Sequence, residues 1–199
     1  MIIIDCIQGS EEWFAARLGM VTASNFGKVL NKKTGRGLYM YKVAAERAWR
    51  IREKDAFCNK NMEHGNLAEA EARDHYAKAF GPVQQVGFVK RDDYVGGSPD
   101  GLVGEEGLIE IKCPIPSTHA ETIDTRKMDT KYIPQVQGLL WVTGRQWCDF
   151  VSFIPDALSR PIFTIRIERD EKKIIEIAAS VRIFVEELKD KVTKIQGDF

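Results

Sequence analysis

Asp100, followed after nine intervening residues by Glu110-Ile111-Lys112, is the set of residues in this chain whose types and spacing could do chemistry. Ser98-Pro99-Asp100-Gly101 reads as a turn, and Leu108 to Cys113 as an apolar strand interrupted by two charges. Alternate side chains of a strand point to opposite faces. Glu110 and Lys112 therefore share one face, and Ile109 and Ile111 the other. Charge buried in such a strand is costly unless it is paired or bound to metal. Asp100, at the end of the preceding turn, could complete a carboxylate pair with a lysine beside it.

Carboxylate oxygens are hard ligands suited to Mg2+ or Mn2+. A divalent ion held there would lower the pKa of a bound water and neutralise charge building at a phosphorus centre. Lys112 would lie near the attacking water, orienting or deprotonating it and stabilising an anionic transition state. This equipment suits metal-dependent phosphodiester hydrolysis. Taken alone, Glu-x-Lys reads as a surface strand with a weak cross-face ion pair; Ser-Pro-Asp-Gly at this spacing, with apolar residues alternating with the charges, favours catalysis.

Elements on both sides must position this strand. Ser10 before Glu11 and Glu12 predicts a helix N-cap, with Gly19 ending that helix and a second helix opening near Thr22 to Ser24. Longer helices are predicted from Leu38 to Lys54 and from Met62 to Phe80, the latter stopped by Gly81-Pro82. Strands are expected at Val83 to Lys90, Gly101 to Gly104, Gly107 to Cys113, Gln146 to Ile154 and Pro161 to Ile167. A short helix is expected around His119, and Pro134 opens another that reaches Val142. Ile174, Ile177, Val181, Phe184 and Leu188 give an apolar stripe to a final helix over Asp170 to Ile195.

Within the Met62 to Phe80 helix, Glu69 and Glu71 point to nearly opposite sides. Met62, Gly65, Ala72, Tyr76 and Phe80 share the Glu69 face, whereas His64, Asp74, His75 and Lys78 lie toward Glu71. Glu69 is thus an acid in an otherwise buried stripe, and it needs a metal, a cation or a raised pKa. Arg17 could offer a bidentate guanidinium to phosphate. A helix opening at Thr22 to Ser24 would add an anion site, and Ser98 would bring that pocket beside Asp100. Read in isolation, Arg17 is a surface ion-pair partner, Ser24 a cap and Trp13 core packing.

The chain has 199 residues, 44% hydrophobic and 29% charged, with formal net charge +0. That fits one α/β domain over 1–199 with a sizeable core. A neutral chain can bind nucleic acid only through a local basic surface. Candidates are Lys28, Lys32, Lys33, Arg36, Arg47, Arg50 and Arg52, each of which also reads as a solvated helix or loop residue. Cys6, Cys58, Cys113 and Cys148 show no zinc spacing and are expected as reduced thiols in a cytosolic protein. His64, His75 and His119 have no metal-ligand spacing. The N-terminus has no signal-peptide pattern, and no apolar run reaches membrane-span length.

Ser98-Pro99-Asp100-Gly101-Leu102 with Leu108-x-Glu110-x-Lys112-Cys113-Pro114 resembles the core of the lambda-exonuclease group, the YqaJ-like viral recombinases of the PD-(D/E)xK nuclease superfamily. Glu12-Trp13 with Arg17-Leu18-Gly19-x-Val21-Thr22-Ala23-Ser24 resembles the family's N-terminal motif. Gly65 with Glu69 and Ala72-Arg73 resembles its first acidic helix, and Tyr132-x-x-Gln135-Val136-Gln137 with Trp141-Val142-Thr143 its glutamine helix. These motifs cover residues 12 to 143 in the family's order.

The resemblance implies a restriction-endonuclease-like PD-(D/E)xK core, α/β in class, with a central mixed β-sheet flanked by helices. It implies a Mg2+-dependent exonuclease, two ions per site with Mn2+ as substitute. Linear double-stranded DNA would be digested 5′→3′ to 5′-mononucleotides, leaving 3′ single strands for phage-type recombination. Asp100, Glu110, the Ile111 carbonyl and Glu69, directly or through water, would hold metal. Lys112 would act at the attacking water, and Gln135 would position Lys112, that water or the scissile phosphate, with Tyr132 one turn before Gln135. Arg17, Ser24 and Ser98 would form a terminal 5′-phosphate pocket. A homotrimeric ring, a single-strand annealing protein as partner, and a bacterial cytoplasm with a phage or prophage gene are implied in the same way. Another endonuclease or single-strand exonuclease on the same core, or a non-catalytic DNA-binding or assembly module, are the alternative readings.

Overall fold

In the computed structural model the elements run β1 (Ile2–Ile4), α1 (Glu11–Arg17), β2 (Val21–Thr22), α2 (Phe26–Leu30), α3 (Arg36–Trp49), α4 (Asn59–Phe80), β3 (Phe88–Lys90), β4 (Val95–Gly97), β5 (Gly101–Val103), β6 (Gly107–Lys112), α5 (Pro116–Thr125), α6 (Ile133–Thr143), β7 (Trp147–Phe153), β8 (Ile162–Glu168) and α7 (Glu171–Gln196). The described residues are 1–31, 33, 35–53 and 59–197, the side chains of 59–67 excepted. The expected mixed sheet with flanking helices is present as two four-stranded sheets. Their orders are β1-β3-β4-β2 and β5-β6-β7-β8. In the first, β2 and β4 are parallel; in the second, β6 and β7 are parallel and the outer pairs antiparallel.

The second sheet separates two cores. Leu108, Cys148 and Phe150 face a large cluster with Val136, Leu139 and Leu140 of α6 and the α7 stripe Ile174, Ile177, Val181, Phe184 and Leu188. Ile109, Ile111, Val151 and Phe153 face a smaller cluster with Ala72 and Tyr76 of α4. The alternation expected for β6 is therefore the alternation between two cores. A strand covered on both faces tolerates Glu110 only where something compensates its charge.

Helix ends follow the expected chemistry. Ser10 Oγ accepts from the Trp13 N–H at 3.2 Å, and Asp170 caps α7 through the Lys173 N–H. Gly144 closes α6 in the left-handed region at φ 73, a conformation glycine adopts at little cost. Gln137 donates to the Glu168 carbonyl and accepts from the Asp170 N–H, so it docks α6 on the start of α7.

Several boundaries differ from expectation. The predicted Leu38 to Lys54 helix spans Arg36–Trp49, stopped by Arg50 at φ 58; Lys54 lies outside the described residues. Val83 to Lys90 is strand only at Phe88–Lys90, with Gln84 bridging Leu102. Phe80 shares the Glu69 face in the helical projection yet is 58% exposed, because α4 runs past the edge of its core. Met62, His64 and Gly65 lie where side chains are not described, and Cys58 lies outside the described residues.

Helix α4 is pinned by a polar cluster around the buried Asp149 carboxylate, which the exposed Arg166 closes from the solvent side. Tyr76 Oη donates to Asp149 Oδ2 at 2.6 Å, and Arg166 grips the same carboxylate through Nε at 2.5 Å and Nη2 at 3.0 Å. Burial and then Asp149 push the Tyr76 phenol well above its usual range. Tyr76→Phe leaves a buried carboxylate one donor short, an expected cost of about 1–3 kcal/mol. Thermal unfolding will show this as a lowered Tm, and a Tm equal to wild type would refute the pinning.

Candidate active site

The site forms where β6 runs past its neighbour. Strand β5 covers β6 only as far as Ile109, opposite Gly101. Beyond it Asp100 takes over: its N–H donates to the Ile109 carbonyl at 3.2 Å, and its Oδ2 accepts from the Ile111 N–H at 2.6 Å. A strand residue sends its N–H and C=O to the same edge, so the Ile111 carbonyl leaves toward Asp100. On the other edge β7 pairs with β6 through Lys112. The half-covered edge lets side chains from both faces of the sheet meet.

From the α6 face comes Glu110, 1% exposed. Its Oε1 accepts from Lys112 Nζ and from Gln135 Nε2, each at 2.5 Å. Its Oε2 is buried without a partner. From the opposite face comes Glu69 on α4, followed one turn later by Arg73, whose Nη1 donates to the Asp100 carbonyl at 3.1 Å. Tyr132 packs against Phe150, with Lys112 Nζ 5.5 Å from its ring centroid. Glu69, Asp100, Glu110, Ile111, Lys112, Tyr132 and Gln135 are thus gathered at one place, from α4, the turn before β5, β6, a 3₁₀ turn at Thr130–Tyr132 and α6.

Electrostatics follow from this crowding. Burial, reinforced by Asp100, pushes Glu69 up to about 7 against the pull of Lys112 and Arg73. Burial likewise pushes Glu110 up to about 8, with Asp100 and Glu69 adding to it and Lys112 opposing. Asp100 is raised by the same burial. Burial works against the Lys112 ammonium, but Glu110, Asp100 and Glu69 outweigh it and hold the lysine charged. Cys113 is pushed up to about 11 by burial and then by Glu69 and Asp100, so it is a thiol rather than a nucleophilic thiolate.

The residues fit a divalent cation on one observation: a buried carboxylate oxygen with no partner, Glu110 Oε2, beside two further acids. Among the described residues no group of three His, Cys, Asp or Glu side chains is placed to hold a metal ion by itself. Magnesium needs none, since it takes one or two carboxylates and fills its octahedron with water and substrate phosphate.

The proposed end-binding residues are placed by two strands that sequence reading missed. Strands β2 and β4 are parallel, with Thr22 opposite Gly96, so Ser24 and Ser98 leave the same end of neighbouring strands. Trp13 joins them to Arg17: its Nε1 donates to Ser98 Oγ at 2.9 Å, and the Arg17 guanidinium lies 4.0 Å over its ring. Trp13, which the sequence suggested as core packing, thus links Arg17 to Ser98; its separation of 85 residues from Ser98 left no local signal for that contact. The helix expected to open at Thr22 to Ser24 is only a 3₁₀ turn, Ala23–Asn25, before the five-residue α2. No helix N-terminal anion site follows there; the exposed Ser24 hydroxyl, bonded to Thr22 Oγ1 at 3.2 Å, remains.

Several of the basic residues proposed for DNA have partners within the protein. Arg36 pairs with Glu187 at 2.9 Å. Arg47 donates to the Gly19 carbonyl at 2.9 Å, and Arg52 stacks on Phe14 at 3.8 Å. Arg50 caps α3, and Lys32 lies outside the described residues. His119 is held through both ring nitrogens, by Ser152 Oγ at 2.7 Å and the Arg160 carbonyl at 3.0 Å. Cys6, Cys113 and Cys148 are free thiols. Among the described residues no helix is long and apolar enough to cross a membrane.

A turn-borne aspartate, a strand Glu-x-Lys and a helix glutamine meeting on a half-covered strand define a PD-(D/E)xK nuclease fold. The YqaJ-like viral recombinase domain matches residues 12–146, and the chain belongs to that family. It is similar to LHK-Exo, an alkaline exonuclease from Laribacter hongkongensis. One structure of that enzyme, in complex with dAMP, is 42% identical, with TM-score 0.87 over 94% of this chain and 96% of that one. A second gives 43% identity and TM-score 0.85 over the same shares. A phage-related exonuclease from Haemophilus somnus 129PT, 17% identical, shares the fold with TM-score 0.64 over 88% of this chain and 94% of that one. No curated protein matches the chain.

Proposed function

We propose that this protein is a Mg2+-dependent exonuclease that digests linear double-stranded DNA 5′→3′, releases 5′-mononucleotides and leaves a 3′-ended single strand for recombination. The observation that carries the reading is Glu110, buried beside Asp100, Lys112 and Glu69 with one carboxylate oxygen unpartnered. Asp100, Glu110 and the Ile111 carbonyl would hold the ions, with Glu69 completing the acidic set directly or through water. A bound divalent ion supplies Lewis acidity and a water ionised near neutral pH.

The chain's own groups do the rest. Lys112, fixed by Glu110, presents its remaining N–H donors to the attacking water and to charge gathering on the phosphate. Gln135 holds the Glu110 carboxylate in place. Arg17, stacked on Trp13, and the Ser98 and Ser24 hydroxyls receive the 5′-terminal phosphate, which sets the strand polarity. Tyr132 flanks Lys112. In this reading the protein works as a homotrimer around DNA in the bacterial cytoplasm, handing the exposed strand to a single-strand annealing protein.

The test is digestion of linear duplexes bearing 5′-phosphate or 5′-hydroxyl ends, with closed circles alongside and Asp100→Ala as control. Loss of the 5′-phosphorylated strand with intact circles is the expected result. Cut circles would establish an endonuclease instead. Arg17→Ala should lower the 5′-phosphate to 5′-hydroxyl rate ratio by about tenfold or more, the loss of one charge-assisted phosphate contact. An unchanged ratio would remove Arg17 from the pocket.

A further inference from the structure

Next to the acids lies a cleft of about 440 Å³ lined by Glu69, Arg73, Asp100, Gln8, Gln85 and Asp5. Arg73 is the cation on its wall, and its bonding is incomplete. A guanidinium has five N–H donors. Among the described residues Arg73 makes one side-chain hydrogen bond, from Nη1 to the Asp100 main-chain carbonyl, and its Nε is buried without a partner. It stands one helical turn from Glu69, on the same face of α4, yet forms no ion pair with either neighbouring acid. Lys112, by contrast, is committed to Glu110 at 2.5 Å.

An unspent cation in an acidic site has a physical use. A DNA strand can enter only if its phosphates find positive charge that the carboxylates have not already consumed. Lys112 is in direct contact with Glu110, whereas Arg73 bonds only to a neutral carbonyl among the described residues, acts on Glu69 and Asp100 through space, and keeps N–H donors for an incoming group. A planar guanidinium is also the side chain best matched to two phosphate oxygens. We propose that Arg73 is a phosphate-binding residue of the site, contacting the degraded strand at the phosphate that comes to lie against Glu69 and Asp100. This rests on the nuclease reading above.

The experiment measures binding of duplex ends in EDTA, by fluorescence anisotropy across a salt series, for wild type, Arg73→Gln and Arg73→Lys, together with Tm and cleavage in Mg2+. Log K against log salt should become shallower by about one unit in Arg73→Gln and stay near wild type in Arg73→Lys. Expected kcat/KM falls about 10- to 100-fold in Arg73→Gln. An unchanged salt slope, whether with lowered Tm or with none, overturns the proposal and leaves Arg73 as a clamp between α4 and Asp100. Because binding is read without metal, failure of the wild type to cleave would refute the nuclease reading while the slope still reports on Arg73.

Discussion

Glu110→Gln will lower the single-turnover rate of duplex digestion by at least about a thousandfold while the protein still folds, because the change removes charge at a position where shape is preserved. The glutamine carbonyl can keep both contacts now made by Oε1, from Lys112 and Gln135. Oε2 makes no hydrogen bond within the protein, so its replacement by an amide breaks none. What disappears is the anionic ligand. Rates measured with excess enzyme over 5′-phosphorylated duplex, beside Tm, separate the two effects. A variant within tenfold of wild type would sink the assignment of Glu110 as a metal-binding acid. A large loss of Tm at neutral pH would show instead that Glu110 is held for structure.

The second large effect is on stability, and it links pH to metal. Glu69 at about 7 and Glu110 at about 8 stand above the ordinary glutamate value of 4.5. The folded protein therefore binds protons that the unfolded chain releases between about 4.5 and 8. Stability from these groups is fully present below 4.5 and is lost as pH rises through 7 and 8. At about 1.4 kcal/mol per unit, the burden on metal-free protein at pH 8.5 is on the order of several kcal/mol.

A divalent cation favours the ionised carboxylates, so its binding expels those protons and offsets the loss. Mg2+ or Mn2+ should then raise Tm on the order of 5–10 °C at pH 8.5 and much less at pH 6. Without metal, Glu110→Gln should be more stable than wild type at pH 8.5, with the difference shrinking toward pH 5. Differential scanning calorimetry at the two pH values, with and without metal, checks the sign. A metal-induced rise equal at both pH values, or present undiminished in Glu110→Gln, would contradict this linkage.

What could be read from sequence was set by short-range periodicity. Glu110 and Lys112 on one face of β6 follow from a repeat of two, and the choice of Glu69 over Glu71 from a repeat of 3.6; the structure gives Glu71 to solvent and Glu69 to the acids. The same arithmetic identified the α7 stripe. Ser10, through capping, and Pro134, through the first-turn preference of proline, marked helix starts by chemistry that acts within a few residues. The family motifs added Gln135, Tyr132 and Arg17, whose local surroundings had left them ordinary.

Tertiary structure decided the rest, because contacts between distant segments leave little mark on either. Strands of two or three residues such as β2 and β4 have no measurable period; pairing alone makes them strands, and that pairing brings Ser24 beside Ser98. Trp13 looked like any core aromatic until its indole N–H met a serine across two elements. Of the basic residues that sequence offered to DNA, Arg36 is paired with Glu187 while Arg47 and Arg52 bind carbonyls or rings; Arg73, beside the acids, has donors to spare. By itself the sequence determined which residues carry charge and which face of its own element each occupies. Only the fold decided that β5, which begins at Gly101, pairs with β6 no further than Ile109, leaving an edge of β6 uncovered where acids from both faces of one sheet can meet.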